Sequence, residues 1–155
     1  MSFANKTAVF LATGCYVGYI PFAPGTFGSL IGLPLCSLLA GIQLPAAIMA
    51  AVVLILLAIW ISGAAARRLK RKDPGCIVID EIAGMVVTFI GLPFTLTTAV
   101  LGFILFRILD IFKPFPIRMI DQRLSGGLGI VADDVVAGIF ANILTRILLA
   151  ILDIY

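Results

Sequence analysis

Five carboxylates stand where apolar segments begin or end: Asp80 and Glu81 together, Asp110 alone, and Asp133 and Asp134 together. Only 12% of the 155 residues are charged, so the grouping narrows the chemistry. Carboxylates gathered at one depth repel one another and resist desolvation. They must be separated, protonated, paired with Arg or Lys, or bound to a cation. A divalent metal resolves the repulsion best. The chain has no histidine, and Cys15, Cys36 and Cys76 form no C-x-x-C pair. The donors are therefore oxygens, which suit a hard ion such as Mg²⁺ better than zinc. The cysteines read as small buried apolar residues.

Acids also mark helix starts, where they complement the macrodipole, and Asp133-Asp134 before Val135 could do that alone. Asp110 does not fit this account, because it falls at a helix C-terminus. Arg107 and Lys113 flank it at i−3 and i+3 and can supply the compensation. Gly84 lies one turn below Asp80 and Gly138 one turn below Asp134, so small residues allow close helix approach beneath the acids.

Two loops belong to the same surface. The first, Pro21-Phe-Ala-Pro24-Gly25-Thr26-Phe-Gly28-Ser29, joins turn formers to hydroxyls just before a helix. Backbone N–H groups there, with Thr26 and Ser29, can cradle a phosphate, and a tight turn with an N-cap is the structural alternative. The second runs Lys113-Pro114-Phe-Pro116-Ile-Arg118 and on to Gly126-Gly127-Leu-Gly129. Its prolines stop the helix, while Lys113 and Arg118 offer positive charge to a phosphomonoester or to interfacial lipid. Absence of histidine excludes a phosphohistidine and a Ser-His-Asp triad, and no cysteine opens a C-x₅-R loop. Metal-assisted attack by water or a carboxylate remains.

The elements that must position these groups are apolar helices. Hydrophobic residues make up 62% of the chain, and the mean hydropathy is +1.20. A soluble domain of this length hides only about 70% of its unfolded surface, so lipid is the natural solvent. Candidate spans are Gly25 to Ile42, Leu44 to Gly63, Ile77 to Leu92, Thr95 to Phe112 and Gly129 to Leu152. The expected fold is an all-α integral membrane protein, a small single-unit bundle of about five hydrophobic helices. The segment 77–92 is the one expected to be short or tilted. The apolar N-terminal run with Lys6 has the outline of a signal peptide, but the Gly- and Pro-rich segment after it reads as part of the working protein.

Lys and Arg cluster in two connections, Arg67 to Lys72 and Lys113 to Arg123, while the 41–43 and 91–98 connections carry no charge. Setting aside Arg107 and Arg146, which fall inside spans, nine of the eleven basic residues then lie on one side. By the positive-inside rule that side is cytoplasmic, as are the N-terminus and the five acids. Asp73 and Asp121 lie in the adjoining loops. Arg146 is placed to snorkel to the opposite interface, and the 67–72 run reads as a topology determinant touching anionic lipid. No basic stripe interleaved with aromatics indicates nucleic acid.

Four blocks complete the reading: Pro24-Gly25-Thr26-Phe27-Gly28-Ser29, Asp80-Glu81-Ile-Ala-Gly84, Phe106-Arg107 through Asp110-Ile-Phe-Lys113 to Arg118, and Gly126-Gly127-Leu-Gly129 through Asp133-Asp134 to Gly138. Their content and order resemble the motif blocks of the phosphatidylglycerophosphatase A family. The resemblance implies a bacterial inner-membrane enzyme that removes the terminal phosphate of phosphatidylglycerophosphate with Mg²⁺. In that reading Asp80, Glu81, Asp133 and Asp134 hold Mg²⁺. Asp110 is a further ligand or the base, acting with Asp134 and Lys113 in catalysis. Thr26, Ser29, Arg107, Lys113 and Arg118 bind phosphate. Two rivals are weighed against it. A CDP-alcohol phosphotransferase would need a D-x-x-D-G-x-x-A-R arrangement, which is absent. A small cation transporter would need acids across the whole membrane.

Overall fold

The computed structural model describes residues 3–71 and 74–153, and every regular element among them is helical. Lys72 and Asp73, the end of the long basic run and the loop acid beside it, lie outside the described residues. The α-helices are α1 (Phe3–Ala12), α2 (Pro24–Ala40), α3 (Leu44–Leu69), α4 (Ile79–Phe89), α5 (Leu96–Phe112), α6 (Ile117–Arg123) and α7 (Gly126–Ile151), with a 3₁₀ turn at Val17–Tyr19. Five of them match the five apolar segments. The sequence reading left α1 and α6 as terminal segment and loop.

Helices α3 and α7 have 26 residues each and are long and apolar enough to cross a membrane. Their outward faces are apolar, with Met49, Val53, Leu56 and Trp60 exposed on α3 and Ile139, Ile143 and Ile147 on α7. Their inward faces are small. Ala47, Ala51, Ala58 and Ala65 line α3, and Ala137, Gly138 and Ala141 line α7. Small residues inside and large ones outside invert the soluble pattern. It is the pattern expected where packing, not water exclusion, holds helices together.

Helix α4 has 11 residues, so it rises only about 16 Å, roughly half of a hydrocarbon core. The segment expected at 77–92 therefore contains no full-length span. It sits behind the others, packed on α7, α2 and α3, with Ala83, Met85, Val86 and Phe89 buried. Ending a helix indoors strands carbonyls that nothing within the helix can satisfy. Here α7 satisfies them. The Asn142 side-chain amide donates to the Thr88 and Ile90 carbonyls at 2.8 and 2.9 Å, and Arg146 Nη2 donates to the same Ile90 oxygen at 2.9 Å. Arg146 Nε in turn donates to Asn142 Oδ1 at 2.9 Å. Arg146 is thus structural, as a helix cap.

The α4–α7 approach is as close as Gly84 and Gly138 suggested. A Cβ on Gly84 would stand 2.7 Å from the Asp134 carbonyl oxygen, and one on Gly138 would strike the Gly84 carbonyl. Backbone cannot yield as a flexible side chain does. Gly138→Ala is expected to cost about 1–3 kcal/mol by forcing the helices apart, read as a lower unfolding midpoint in detergent. An unchanged midpoint would show that this crossing is slack.

Candidate active site

Asp80 and Glu81 occupy the first turn of α4, where the macrodipole favours them. Asp133 and Asp134 do not mark a helix start, because α7 begins at Gly126, two turns earlier. The dipole account accordingly fails for that pair, and what holds them is tertiary. The α4–α7 crossing brings Asp80, Glu81 and Asp134 together, with one carboxylate oxygen from each lying within 4.8 Å of the others. Asp80 and Asp134 are buried, at 8% and 4% exposure. Asp80 Oδ1, Glu81 Oε2 and Asp134 Oδ2 have no hydrogen-bond partner among the described residues. Three carboxylates of one charge, gathered out of water and each with an unpartnered oxygen, are unstable without a cation. The donor set is all oxygen, so the residues fit a hard divalent ion.

Asp110 completes a second layer. Arg107 Nη1 bonds Asp110 Oδ2 at 2.5 Å across one helical turn, which is the compensation expected at the C-terminal end of α5. The same nitrogen reaches the Ser29 hydroxyl at 3.4 Å, and Ser29 donates to the Gly25 carbonyl at 2.8 Å. Ser29 is fully buried, so the structure sets it behind the guanidinium as a support. A methyl group on Gly25 would touch Glu81 Oε1 and stand 3.1 and 3.2 Å from the two terminal nitrogens of Arg107. Glycine is thus what lets the first turn of α2 close over both charges. Thr26, the next residue, is half-buried on that turn. Arg107 Nε is buried without an acceptor. A metal cannot satisfy an orphan N–H, but an anionic oxygen can.

Lys113 caps α5 in the left-handed conformation, φ 44°, which turns its side chain away from Asp110. Its ammonium bonds Asp133 Oδ2 and, at 3.1 Å, Asp121 Oδ1 on α6. Sequence spacing pointed Lys113 at Asp110; the reversal of the chain at 113 redirects it. Burial opposes its charge, but the hydrogen bonds and charges of Asp133 and then Asp121 outweigh that. They hold the ammonium above the ordinary lysine range. Asp133 therefore stands apart from the other three acids, one oxygen on Lys113 and Oδ1 unpartnered.

Arg118 takes no part in this network. It is exposed on α6, where it lines a groove of about 520 Å³ with Phe112, Phe115, Met119 and Arg123, and Lys113 forms the wall shared with the acids. Sequence reasoning missed the service of Asp121 to Lys113, the contact of Gly25 and the cap made by Asn142. Asn142 and Arg146, polar residues four apart on an apolar helix, were the available signal for the last.

The model of the family described as phosphatidylglycerophosphatase A matches residues 10–149. An Escherichia coli protein named phosphatidylglycerophosphatase A is 39% identical over 134 residues, 84% of this chain and 77% of its own. A Haemophilus influenzae protein of the same name is 38% identical over 138 residues, 86% of this chain and 83% of its own. A Bacteroides thetaiotaomicron protein, named provisionally as a phosphatidylinositol-3-phosphatase, is 36% identical over 150 residues, 90% of this chain and 91% of its own. No solved structure matches the chain. The match runs through the α2 turn, both acid pairs and the α5–α6 elbow, and on that ground the chain belongs to the phosphatidylglycerophosphatase A family.

Proposed function

We propose that the chain hydrolyses the terminal phosphomonoester of phosphatidylglycerophosphate, giving phosphatidylglycerol and inorganic phosphate, at a Mg²⁺-dependent site between α4, α5 and α7. The observation that carries this is a complementary set of buried polar groups. Asp80, Glu81 and Asp134 each have a carboxylate oxygen without a hydrogen-bond partner, and the Arg107 Nε–H is likewise unpartnered. A metal phosphomonoester answers both, and family membership supplies the substrate class.

Asp80, Glu81 and Asp134 would hold Mg²⁺, while Asp133 holds Lys113. Bound there, the ion would neutralise the carboxylates and draw charge from the phosphoryl oxygens. Arg107 binds a phosphoryl oxygen through Nε while Asp110 and Ser29 fix its far side. Lys113, held by Asp133 and Asp121, offers charge as it builds in the transition state. Thr26 and the first turn of α2 close the site over the phosphate. Asp110 accepts the proton of the attacking water. The water oxygen bonds to phosphorus, the phosphorus–glycerol oxygen bond breaks, and the glycerol oxygen takes up a proton.

The exposed apolar faces support a multi-pass protein of the bacterial inner membrane. The basic ends support a cytoplasmic site. Gly127 at the start of α7 packs on Gly63 near the end of α3, so Arg67 and Arg68 share the acidic end with Lys113, Arg118 and Arg123. The Val78 N–H donates to the Ala12 carbonyl at 2.9 Å, which brings α1 to that end as well. A cation pathway is disfavoured by the far end of the bundle, where Arg146 caps α4.

Purified protein in uncharged detergent is expected to release phosphate from phosphatidylglycerophosphate with Mg²⁺ and to stop in EDTA. Folded protein releasing none would overturn the reading, and Mg²⁺ flux into sealed vesicles would then favour transport.

A further inference from the structure

The groove at the α5–α6 elbow has a chemistry the phosphomonoester site leaves unused. It is lined by Phe112, Lys113, Phe115, Arg118, Met119 and Arg123 among others, and no carboxylate among the described residues lines it. The bases in the acidic network are neutralised, Arg107 by Asp110 and Lys113 by Asp133 and Asp121. Arg118 and Arg123 have no acidic partner among the described residues. For Arg118 this is a choice made by the fold. Asp121 follows it by three residues on one helix, the spacing of a helical ion pair, yet Asp121 turns to Lys113. Two unpaired guanidinium groups therefore converge on one open volume. Beside them Phe112 and Phe115 are 77% and 82% exposed, too apolar for water and placed as residues that enter lipid.

Resting on the activity proposed above, we infer that this groove is a second anion subsite, which takes the phosphodiester of the substrate lipid on Arg118 and Arg123. Phosphatidylglycerophosphate carries two phosphates three carbons apart, a monoester at the end and a diester on the diacylglycerol side. Lys113 stands between acid site and groove, so a headgroup reaching over it sets each phosphate in its own place. Phe112 and Phe115 receive the start of the acyl chains. Arginine suits this role because its planar fork binds two phosphate oxygens at once. The subsite selects lipids that have a diester next to the scissile monoester. Phosphatidic acid lacks that group.

The test uses full-length protein in uncharged detergent and phosphatidylglycerol as probe, since it keeps the diester and lacks the monoester. Arg118→Gln with Arg123→Gln is expected to weaken phosphatidylglycerol binding by about 10- to 100-fold. In turnover the same variant should raise KM for phosphatidylglycerophosphate by a similar factor and change kcat little, as expected for lost ground-state binding. Inhibition by inorganic phosphate should keep its strength. Lys6→Gln, at an exposed lysine outside the groove, should alter none of these. Equal losses in Lys6→Gln and in the groove variant would reduce the effect to surface charge and overturn the inference. So would unaltered phosphatidylglycerol binding in the groove variant. Because binding is read without turnover, a wild type that binds phosphatidylglycerol through these arginines but releases no phosphate would sink the proposed reaction and leave the subsite standing.

Discussion

Asp134→Asn is expected to lower phosphate release by about 10³-fold or more, and to make the metal-free protein more stable. The two effects share one cause. Asp134 is buried, its Oδ2 has no hydrogen-bond partner, and it is gathered with Asp80 and Glu81, so like charges repel at the α4–α7 crossing when no cation is bound. The amide keeps the shape and removes one negative charge, which should raise the unfolding midpoint in EDTA by the equivalent of about 1–3 kcal/mol. Mg²⁺ should stabilise wild type by about 2.7 kcal/mol at a hundredfold excess over Kd, and the variant much less. A variant that loses activity but also loses stability in EDTA would mean that Asp134 is a structural acid, and the metal assignment would fall.

Lys113→Met should cost both stability and activity. Asp133 is only 3% exposed, and without Lys113 its carboxylate is left buried and uncompensated. Removing one partner of a buried pair costs about 3–5 kcal/mol, and about 2–4 kcal/mol is expected here because the lysine side chain is 27% exposed. Phosphate release should fall by about 10²- to 10³-fold. Adding Asp133→Asn separates the two effects: the double variant should regain stability, since no orphan charge remains, without regaining activity. Activity restored along with stability would reduce Lys113 to a strut.

The pH dependence follows from the same contacts. The folded state raises the lysine above its unfolded value of about 10.4, so its stabilisation is complete below that pH. It is lost only as pH rises through the higher folded value. The wild-type midpoint should show no decline from Lys113 up to about pH 10, and a decline near pH 8 would mean the ammonium is not held by Asp133 and Asp121.

What the sequence determined by itself is what depends on neighbours along the chain. Long apolar runs become helices with lipid-compatible faces wherever they fold, so α3 and α7 were legible from composition and length. Arg107 and Asp110 lie one turn apart on α5, and their pairing needed no tertiary information. The turn at Pro24 to Ser29 marked a helix start, and α2 begins there.

Tertiary structure decided how the acids divide. Whether Asp133 and Asp134 share one site depends on the rotation of α7 against α4, which is set where Gly84 and Gly138 meet. Adjacent residues on a helix point about 100° apart. That crossing can therefore send Asp134 to Asp80 and Glu81 while leaving Asp133 to a lysine twenty residues upstream. Asp80 and Glu81 near its start marked the 77–92 segment as short or tilted, but where α4 ends was not legible, because the cap that permits its end lies on α7. Arg118 carried a phosphate-binding charge in the sequence, but only the α5–α6 elbow decided that it faces a groove and not the acids. Residue type constrained the chemistry; the angles at which distant helices cross decided which atoms perform it.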